Sequence, residues 1–264
     1  MVKAHFLSFA AGDQKYYKCL VNLCEQAKQF NLFSTIRGIT DETLKKNTDF
    51  WNKHGEFIED CNNKKLRGFG VWLWKPYIVK QQLEEMEEND ILVYADAGCM
   101  LNIRGKQRLI EYFKIITESK YGSIGFKHNN EWVPRSPQEG HIERIWTKGC
   151  VFDHFNARTH EIANTSQLVG GTFILRKCEH VMKMVDLWYE TCCNYELLLD
   201  EPYSMSSFPE FREHRHDQSI FSIIRKIHGT TYLDNEVYFG TVGWKSPKAI
   251  NSPIWLFQMP HKII

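Results

Sequence analysis

The sequence predicts an α/β fold in which a single Rossmann-like mixed sheet is flanked by helices. Two observations carry this prediction. The chain opens with a short apolar run at residues 4–10, followed by a helical pattern at residues 14–30, which is typical of the start of an α/β unit. Residues 90–96 contain a run of apolar residues that is typical of a strand covered on both faces of a sheet.

Length and composition describe an ordinary globular chain. Its 264 residues, 43% hydrophobic and 25% charged, suit one large domain or two intimate halves with a substantial core. The formal net charge of +1 argues against a nucleic-acid partner, since such proteins usually carry a basic excess or stripe. The 14% aromatic content fits either a ring-rich core or a pocket whose flat faces stack on sugars and bases.

Cysteine usage and hydropathy bear on the location of the protein. None of the eight cysteines belongs to a CxxC pair, so we expect no zinc site. The N-terminus lacks the features of a secretory signal, and no apolar run approaches the length of a membrane span. We therefore expect reduced thiols, no transmembrane segment and a cytoplasmic location.

The first hundred residues are expected to alternate strands and helices. The strand at 4–10 ends in the turn Ala11-Gly12-Asp13, and a helix follows at 14–30. A second strand is expected at 32–36 and a second helix at 41–55.

A strand that ends in an acid is the clearest feature of this half. Pro76 suits the first turn of a helix running to about Met86, because its missing N–H costs nothing there. The strand at 90–96 follows and ends at Asp96. Ligands of open α/β sheets collect at the carboxyl ends of strands, so Asp96 is a candidate site residue.

The second half of the chain is expected to be less regular. Residues 127–166 show weak periodicity and are long for a structureless loop, which favours a closing lid or an acceptor-binding segment. The expected regular elements are a helix at 105–118, a strand at 123–126, a strand at 167–176, a helix at 178–198 and a short helix within 212–225.

Four segments, taken in order, resemble nucleotide-sugar glycosyltransferases of the GT-A type. Tyr94-Ala95-Asp96-Ala97-Gly98 resembles the DxD metal motif, and His216-Asp217-Gln218-Ser219 resembles the Asp-Gln segment of glycogenin-like retaining transferases. The other two are Gly70-Val71-Trp72-Leu73-Trp74-Lys75-Pro76 and Gly170-Gly171-Thr172-Phe173-Ile174-Leu175. Trp146-Thr147-Lys148-Gly149 is similar to a segment of uncharacterised bacterial and viral relatives.

The resemblance extends over nearly the whole chain. It implies a single GT-A-like domain over residues 1–264, with a nucleotide-binding half at 1–100. Residues 101–264 would form the half that holds the donor sugar and the acceptor.

The motif around Asp96 departs from the family pattern. A DxD motif has two acids one residue apart, whereas Asp96 is flanked at these positions by Tyr94 and Gly98. The resemblance implies Mn²⁺ or Mg²⁺, cations that take oxygen ligands and phosphate oxygens. A second ligand would come from His216-Asp217 or from His261, or water would fill the gap, or the metal would bind weakly. The alternative for Asp96 is an ordinary turn residue after a strand.

The resemblance also implies a set of residues that bind the nucleotide sugar. Lys75 could pair with phosphate near a helix N-terminus, or it could be an ordinary surface lysine. The glycine pair could let the backbone approach the donor sugar, or it could form a β-bulge. The full set is Phe9, Ala10, Arg67, Trp74, Lys75, Tyr94, Ala95, Gly98, Gly170, Gly171 and His216.

Asp217 and Gln218 are the expected catalytic residues. In a retaining reaction Gln218 would face the reacting sugar carbon while Asp217 holds sugar hydroxyls. In an inverting reaction Asp217 would be the general base for the acceptor hydroxyl. The alternative for Asp217 is an N-cap of the helix that starts at Gln218.

The predicted function is transfer of a sugar from a nucleoside-diphosphate sugar to a glycan, protein or lipid acceptor. A UDP-sugar is favoured as donor, and a GDP-sugar is possible. A sugar nucleotidyltransferase is a weaker alternative, because the loop after the first strand holds only Gly12. A non-catalytic carbohydrate-binding protein is a second alternative, which the aromatic content allows.

Overall fold

A computed structural model describes residues 2–128, 141–200, 206–239 and 244–256. The strands are β1 (Ala4–Ala10), β2 (Phe33–Thr40), β3 (Ile91–Ala95), β4 (Cys99–Leu101), β5 (Ser123–Phe126), β6 (Thr172–Arg176), β7 (Thr231–Leu233) and β8 (Ile254–Leu256). The α-helices are α1 (Gln14–Phe30), α2 (Asp41–Lys46), α3 (Thr48–Asn63), α4 (Trp74–Glu85), α5 (Lys106–Glu118), α6 (Glu143–Trp146), α7 (Gly149–His154), α8 (His160–Ala163), α9 (Glu179–Cys193), α10 (Tyr195–Leu198), α11 (Asp217–His228) and α12 (Pro247–Ile250).

Six strands form one mixed sheet in the order β2-β1-β3-β6-β5-β7. The pairs β1–β2, β1–β3 and β5–β7 are parallel, whereas β6 is antiparallel to both β3 and β5. A separate antiparallel ribbon joins β4 to β8. The prediction of a single mixed sheet flanked by helices is therefore confirmed.

Both faces of the sheet are covered, and alternate residues of a strand enter different cores. On β3, Leu92 and Tyr94 join a core that also contains side chains of α4, α9 and α11. Ile91 and Val93 join the opposite core, together with side chains of α1 and α5. This two-sided burial explains why β3 is a continuous apolar run rather than an alternating pattern.

Several element bounds differ from the sequence prediction. The helix expected at 41–55 is two helices, because Asn47 accepts a hydrogen bond from the Phe50 N–H and caps a new start. The second strand is longer and the strand expected at 167–176 is shorter, starting at Thr172. Residues 129–140 of the irregular segment lie outside the described residues, and the rest contains the short helices α6, α7 and α8.

The chain halves proposed from the sequence share this sheet. Strand β3, from the first hundred residues, pairs along its whole length with β6 from the second half. The assignment of separate roles to the halves stays a prediction. No helix in the described ranges is both long and apolar enough to cross a membrane.

Candidate active site

The site forms where β3 ends beside the start of β6. Because these two strands are antiparallel, the end of one lies against the beginning of the other, and Ala95 pairs with Thr172. The Asp96 N–H donates a hydrogen bond to the Gly171 carbonyl at 2.8 Å. The prediction that Asp96 follows a buried strand is confirmed, and the glycine pair lies directly beside it.

Lys75 is the centre of the charged cluster. Its Nζ lies 3.1 Å from Asp96 Oδ1 and 3.3 Å from Asp217 Oδ2, and it donates to the Gly170 carbonyl at 3.3 Å. The lysine side chain is 3% exposed and that of Asp217 is 4% exposed. The surface-lysine alternative is therefore wrong, and Lys75 links three segments that are distant in sequence.

Burial and charge set the protonation of this cluster. Burial raises the pKa of Asp217 to about 6; Lys75 opposes this rise, and the nearby charge of Asp96 adds to it. Burial alone would lower the pKa of Lys75, but the carboxylates of Asp217 and Asp96 outweigh it and raise the pKa. The lysine is therefore a fixed positive charge between two acids.

Tyr94 acts on the site through Asp96. Its hydroxyl donates to Asp96 Oδ1 at 2.6 Å, and the ring is fully buried. Burial, together with the charge of Asp96, raises the pKa of Tyr94 well above its usual value, so the phenol stays a neutral donor. Tyr94 and Lys75 thus both hold Oδ1 of Asp96, and the side chain of Asp96 keeps 32% exposure.

The two glycines are needed for space. A Cβ on Gly171 would lie 3.0 Å from Asp96 Oδ2 and 2.7 Å from Leu256 Cδ1, and a Cβ on Gly170 would lie 2.7 Å from Gln218 Cβ. Neither glycine has a positive φ, so the close approach of other groups is what requires them. This favours the close-approach interpretation over the β-bulge.

Two adjoining cavities meet at Asp96. The larger has a volume of about 590 Å³ and the smaller about 440 Å³, and both are lined by Tyr16, Gly68, Trp72 and Asp96. The predicted residues Phe9, Ala10, Trp74 and Gly98 line the larger cavity. Arg67, Lys75, Gly170, Gly171, Asp217 and Gln218 line the smaller one.

The larger cavity has an aromatic wall, and part of the backbone beside it is strained. The rings of Phe9 and Trp74 stack with centroids 3.7 Å apart. Val71 and Trp72 both have positive φ, which is unfavourable for side chains other than glycine. Such strain persists where surrounding structure enforces it, often at binding sites. The result is an apolar slot beside a charged cluster.

Three predicted residues line neither cavity. Tyr94 lies behind Asp96, and Ala95 belongs to the core on the α1 side of the sheet. His216 Nδ1 donates to the Leu198 carbonyl at 2.9 Å, and burial lowers its pKa to about 4. The three therefore support the site rather than line it, and His261 lies outside the described residues.

The sequence did not predict a stack of flat side chains beside the smaller cavity, which is lined by three of its members, His128, His141 and Arg215. The ring centroids of His128 and His141 lie 4.1 Å apart, and those of His141 and Trp146 lie 4.7 Å apart. The guanidinium carbon of Arg215 lies 4.3 Å from the Trp146 ring centroid. Burial lowers the pKa of His128 to about 3, so it is neutral beside the arginine. His141 and Trp146 are only five residues apart, but Arg215 is distant in sequence, and no local pattern joins the four residues.

Asp217 is not the cap of its helix. Helix α11 begins at Asp217 itself, and His216 occupies the capping position with a φ of 50°. The Asp217 carboxylate points to Lys75, while its backbone carbonyl accepts from Trp188 Nε1 at 3.1 Å. The N-cap alternative is therefore wrong.

The fit of a divalent cation depends on Asp96. Among the described residues, no group of three or more His, Cys, Asp or Glu side chains could enclose a metal ion. Asp96 Oδ1 is held by Tyr94 and Lys75, which leaves Oδ2 as the ligand atom it offers at the junction of the cavities. One carboxylate oxygen fits a cation that takes its other ligands from phosphate and water.

Comparison with known proteins supports the fold. No family model matches the sequence, and no curated protein is significantly similar to it. The structure is similar to a glycosyltransferase involved in glycosylation of the major capsid of PBCV-1, with a TM-score of 0.52, 10% identity and coverage of 96% of this chain and 91% of the other. Mouse xyloside xylosyltransferase 1 gives a TM-score of 0.49 at 11% identity, covering 100% of both chains. The galactosyltransferase LgtC, in complex with donor and acceptor sugar analogs, gives 0.44 at 11% identity, covering 97% and 87%. The first of these likenesses shows the fold: the mixed α/β sheet is of the GT-A kind found in glycosyltransferases.

Proposed function

We propose that this protein is a glycosyltransferase that moves a sugar from a nucleoside-diphosphate sugar to a glycan, protein or lipid acceptor. The observation that carries the proposal is the meeting of two cavities at Asp96, one aromatic and one lined by Lys75, Asp217 and Gln218. A nucleotide sugar has the same division: a flat base at one end, a charged diphosphate in the middle and a sugar at the other end.

The donor would lie across both cavities. The base and ribose would occupy the larger cavity, against the apolar wall to which Phe9 and Trp74 belong. The diphosphate would lie near Asp96 and Arg67, and the sugar would enter the smaller cavity beside Gly170 and Gly171. A UDP-sugar is the favoured donor, and a GDP-sugar is the alternative.

Asp96 is the residue proposed to hold Mn²⁺ or Mg²⁺, through Oδ2. The cation would neutralise charge on the diphosphate as the bond to the sugar breaks. The buried ammonium of Lys75 would add a fixed positive charge that needs no rearrangement during the reaction. The proposed second ligand, His261, lies outside the described residues.

We propose a retaining reaction. Gln218 lines the smaller cavity, and its amide would face the reacting carbon of the sugar. Asp217 is held by Lys75, and its carboxylate would accept hydrogen bonds from sugar hydroxyls.

The cytoplasmic location also stays a prediction. All eight cysteines are free thiols.

A thermal-shift series separates this proposal from its two alternatives. UDP, GDP, CMP, their nucleotide sugars, the free sugars and the nucleoside triphosphates would each be added with and without Mn²⁺. Stabilisation by a nucleoside diphosphate, larger with Mn²⁺, is the expected result, because a ligand that binds only the folded state raises the melting temperature. Stabilisation by free sugars alone would favour a carbohydrate-binding protein. Stabilisation by nucleoside triphosphates alone would favour a nucleotidyltransferase.

A further inference from the structure

Behind Gln218, a chain of side-chain amides leads away from the cavity to Glu143. Gln218 Oε1 accepts a hydrogen bond from the Gly170 N–H at 3.0 Å, and Gln218 Nε2 donates to Gln167 Oε1 at 2.6 Å. Gln167 Nε2 in turn donates to Glu143 Oε2 at 3.1 Å. Each amide therefore accepts on its oxygen and donates from its nitrogen, in one continuous direction.

Both ends of this chain fix its direction. At one end, the backbone N–H of Gly170 can only donate. At the other end, Glu143 pairs with Lys226 at 2.9 Å and accepts from the Thr147 hydroxyl at 3.0 Å, so it acts as a carboxylate that only accepts. Turning over either amide would place two donors or two acceptors face to face.

Burial prevents water from repairing such a mismatch. Glu143, Gln167 and Thr147 are fully buried. A polar group that loses its partner in such a place bears the full cost of desolvation, and the hydrogen bonds in a buried network polarise one another. The chain is therefore a stiff support rather than a set of exchangeable contacts.

We propose that Gln167 and Glu143 are positioning residues that hold the carbonyl oxygen of Gln218, rather than its NH₂ group, at Gly170 in the wall of the smaller cavity. Neither residue lines that cavity, so both act through Gln218. The inference rests on the proposed function, because it specifies the orientation of the amide that would face the reacting carbon. Lys75 holds the Gly170 carbonyl from the other side.

Glu143→Gln is the substitution that should reverse the chain. Lys226 can only donate, so it would keep the oxygen of Gln at position 143 and leave the NH₂ group facing Gln167. Gln167 and then Gln218 would have to turn over, which sets the NH₂ of Gln218 against the Gly170 N–H. We expect kcat to fall about tenfold, the equivalent of one oriented hydrogen bond, with a smaller change in KM for the donor.

A second substitution should restore the direction. With Gln167→Glu added to Glu143→Gln, the carboxylate at position 167 can accept hydrogen bonds from the amides at positions 143 and 218. The net charge of the hydrogen-bonded chain is unchanged. The double variant is expected to recover most of kcat. Ser222→Ala is the matched control, since Ser222 donates to the same carboxylate of Glu143 but sets no amide direction. It should lower the melting temperature while leaving kcat within about twofold.

The melting temperatures of the wild type, both single variants and the double variant form a cycle that does not depend on turnover. Gln167→Glu alone sets two buried carboxylates side by side, so the comparison that tests the chain is between the double variant and Glu143→Gln. A double variant more stable than Glu143→Gln supports the chain, because a buried carboxylate added without matched donors would lower stability further. Additive effects on stability, or no recovery of kcat in the double variant, would overturn the inference. The double variant could regain stability while the wild type turns over no nucleotide sugar. That result would support the chain of amides and contradict the proposed function instead.

Discussion

Replacing Lys75 with methionine removes the positive charge between Asp96 and Asp217 while keeping a side chain of similar length. A buried carboxylate that loses its partner is strongly destabilising, so we expect the free energy of unfolding to fall by about 3 kcal/mol at pH 8, together with loss of turnover. Urea unfolding measures the first effect. Lys183→Met is the control, because Lys183 pairs with Glu179 on an exposed helix face and should change little. Equal stability of the two variants would contradict the buried ion pair.

The ionisation of Asp217 should appear in the pH dependence of stability. Burial raises its pKa from 3.8 to about 6, with Lys75 opposing and Asp96 adding to the rise. The folded state therefore holds this proton more tightly than the unfolded chain. Its contribution to stability is fully present below pH 3.8 and is lost as pH rises through 6.

Asp217→Asn provides the comparison for this effect. The difference in free energy of unfolding between wild type and variant should fall across that pH range by about 3 kcal/mol at most. Denaturant unfolding in EDTA measures it. A difference that is constant with pH would show that Asp217 titrates normally. The lowered pKa values of buried histidines act in the opposite direction, but they cancel in this comparison.

Single residues were predictable from sequence where one local pattern determined them. Asp96 follows a strand that the apolar run at 90–96 predicts, and the glycine pair precedes another predicted strand. The role of Lys75 between two carboxylates was not predictable, because Asp96 and Asp217 meet it only through the packing of α4 and α11 against the sheet. The stack of His128, His141 and Trp146 depends on tertiary contacts in the same way.

At the scale of elements, the close approach of β3 and β6 shapes the site. Gly171→Ala would place a Cβ 3.0 Å from Asp96 Oδ2 and displace that carboxylate. We expect donor turnover to fall about tenfold, since crowding a packed site typically costs 1–3 kcal/mol. Steady-state kinetics with a nucleotide sugar measures this.

Gly38→Ala is the matched control for the crowding at Gly171. Gly38 lies in β2 and lines neither cavity, and an added Cβ would meet Cys24 Sγ at 3.1 Å. It should lower stability without a comparable loss of turnover. A similar loss of turnover in both variants would mean that the effect of Gly171→Ala comes from general destabilisation.

The long buried strands were the most predictable elements. The bounds of β1 match the predicted 4–10, because its burial on both faces makes every residue except His5 apolar or small. The strands β4, β7 and β8 have only three residues each, too few for any periodicity to show. The helix breaks at Asn47 and Asn194 were not predicted, because an asparagine that caps a new helix cannot be told from an ordinary polar position of a continuous helical pattern.

At the scale of the whole molecule, the site joins both halves of the chain. The first hundred residues supply the aromatic cavity and Lys75, and the second half supplies Gly170, Gly171, Asp217 and Gln218. The sheet holds the halves together through the pairing of β3 with β6. A donor molecule long enough to span both cavities would therefore contact both halves at once, with Asp96 at their junction.

Release of nucleoside diphosphate from a panel of UDP- and GDP-sugars, by the wild type and by Asp96→Asn, tests the central claim most directly. We predict that the wild type releases a nucleoside diphosphate from at least one donor, and that the variant does so slower by on the order of 10²-fold while keeping its melting temperature. Asparagine keeps the shape of the side chain but removes its charge, so this loss would be one of chemistry rather than of folding. No release by the wild type from any donor, or equal rates for the two proteins, would contradict the account.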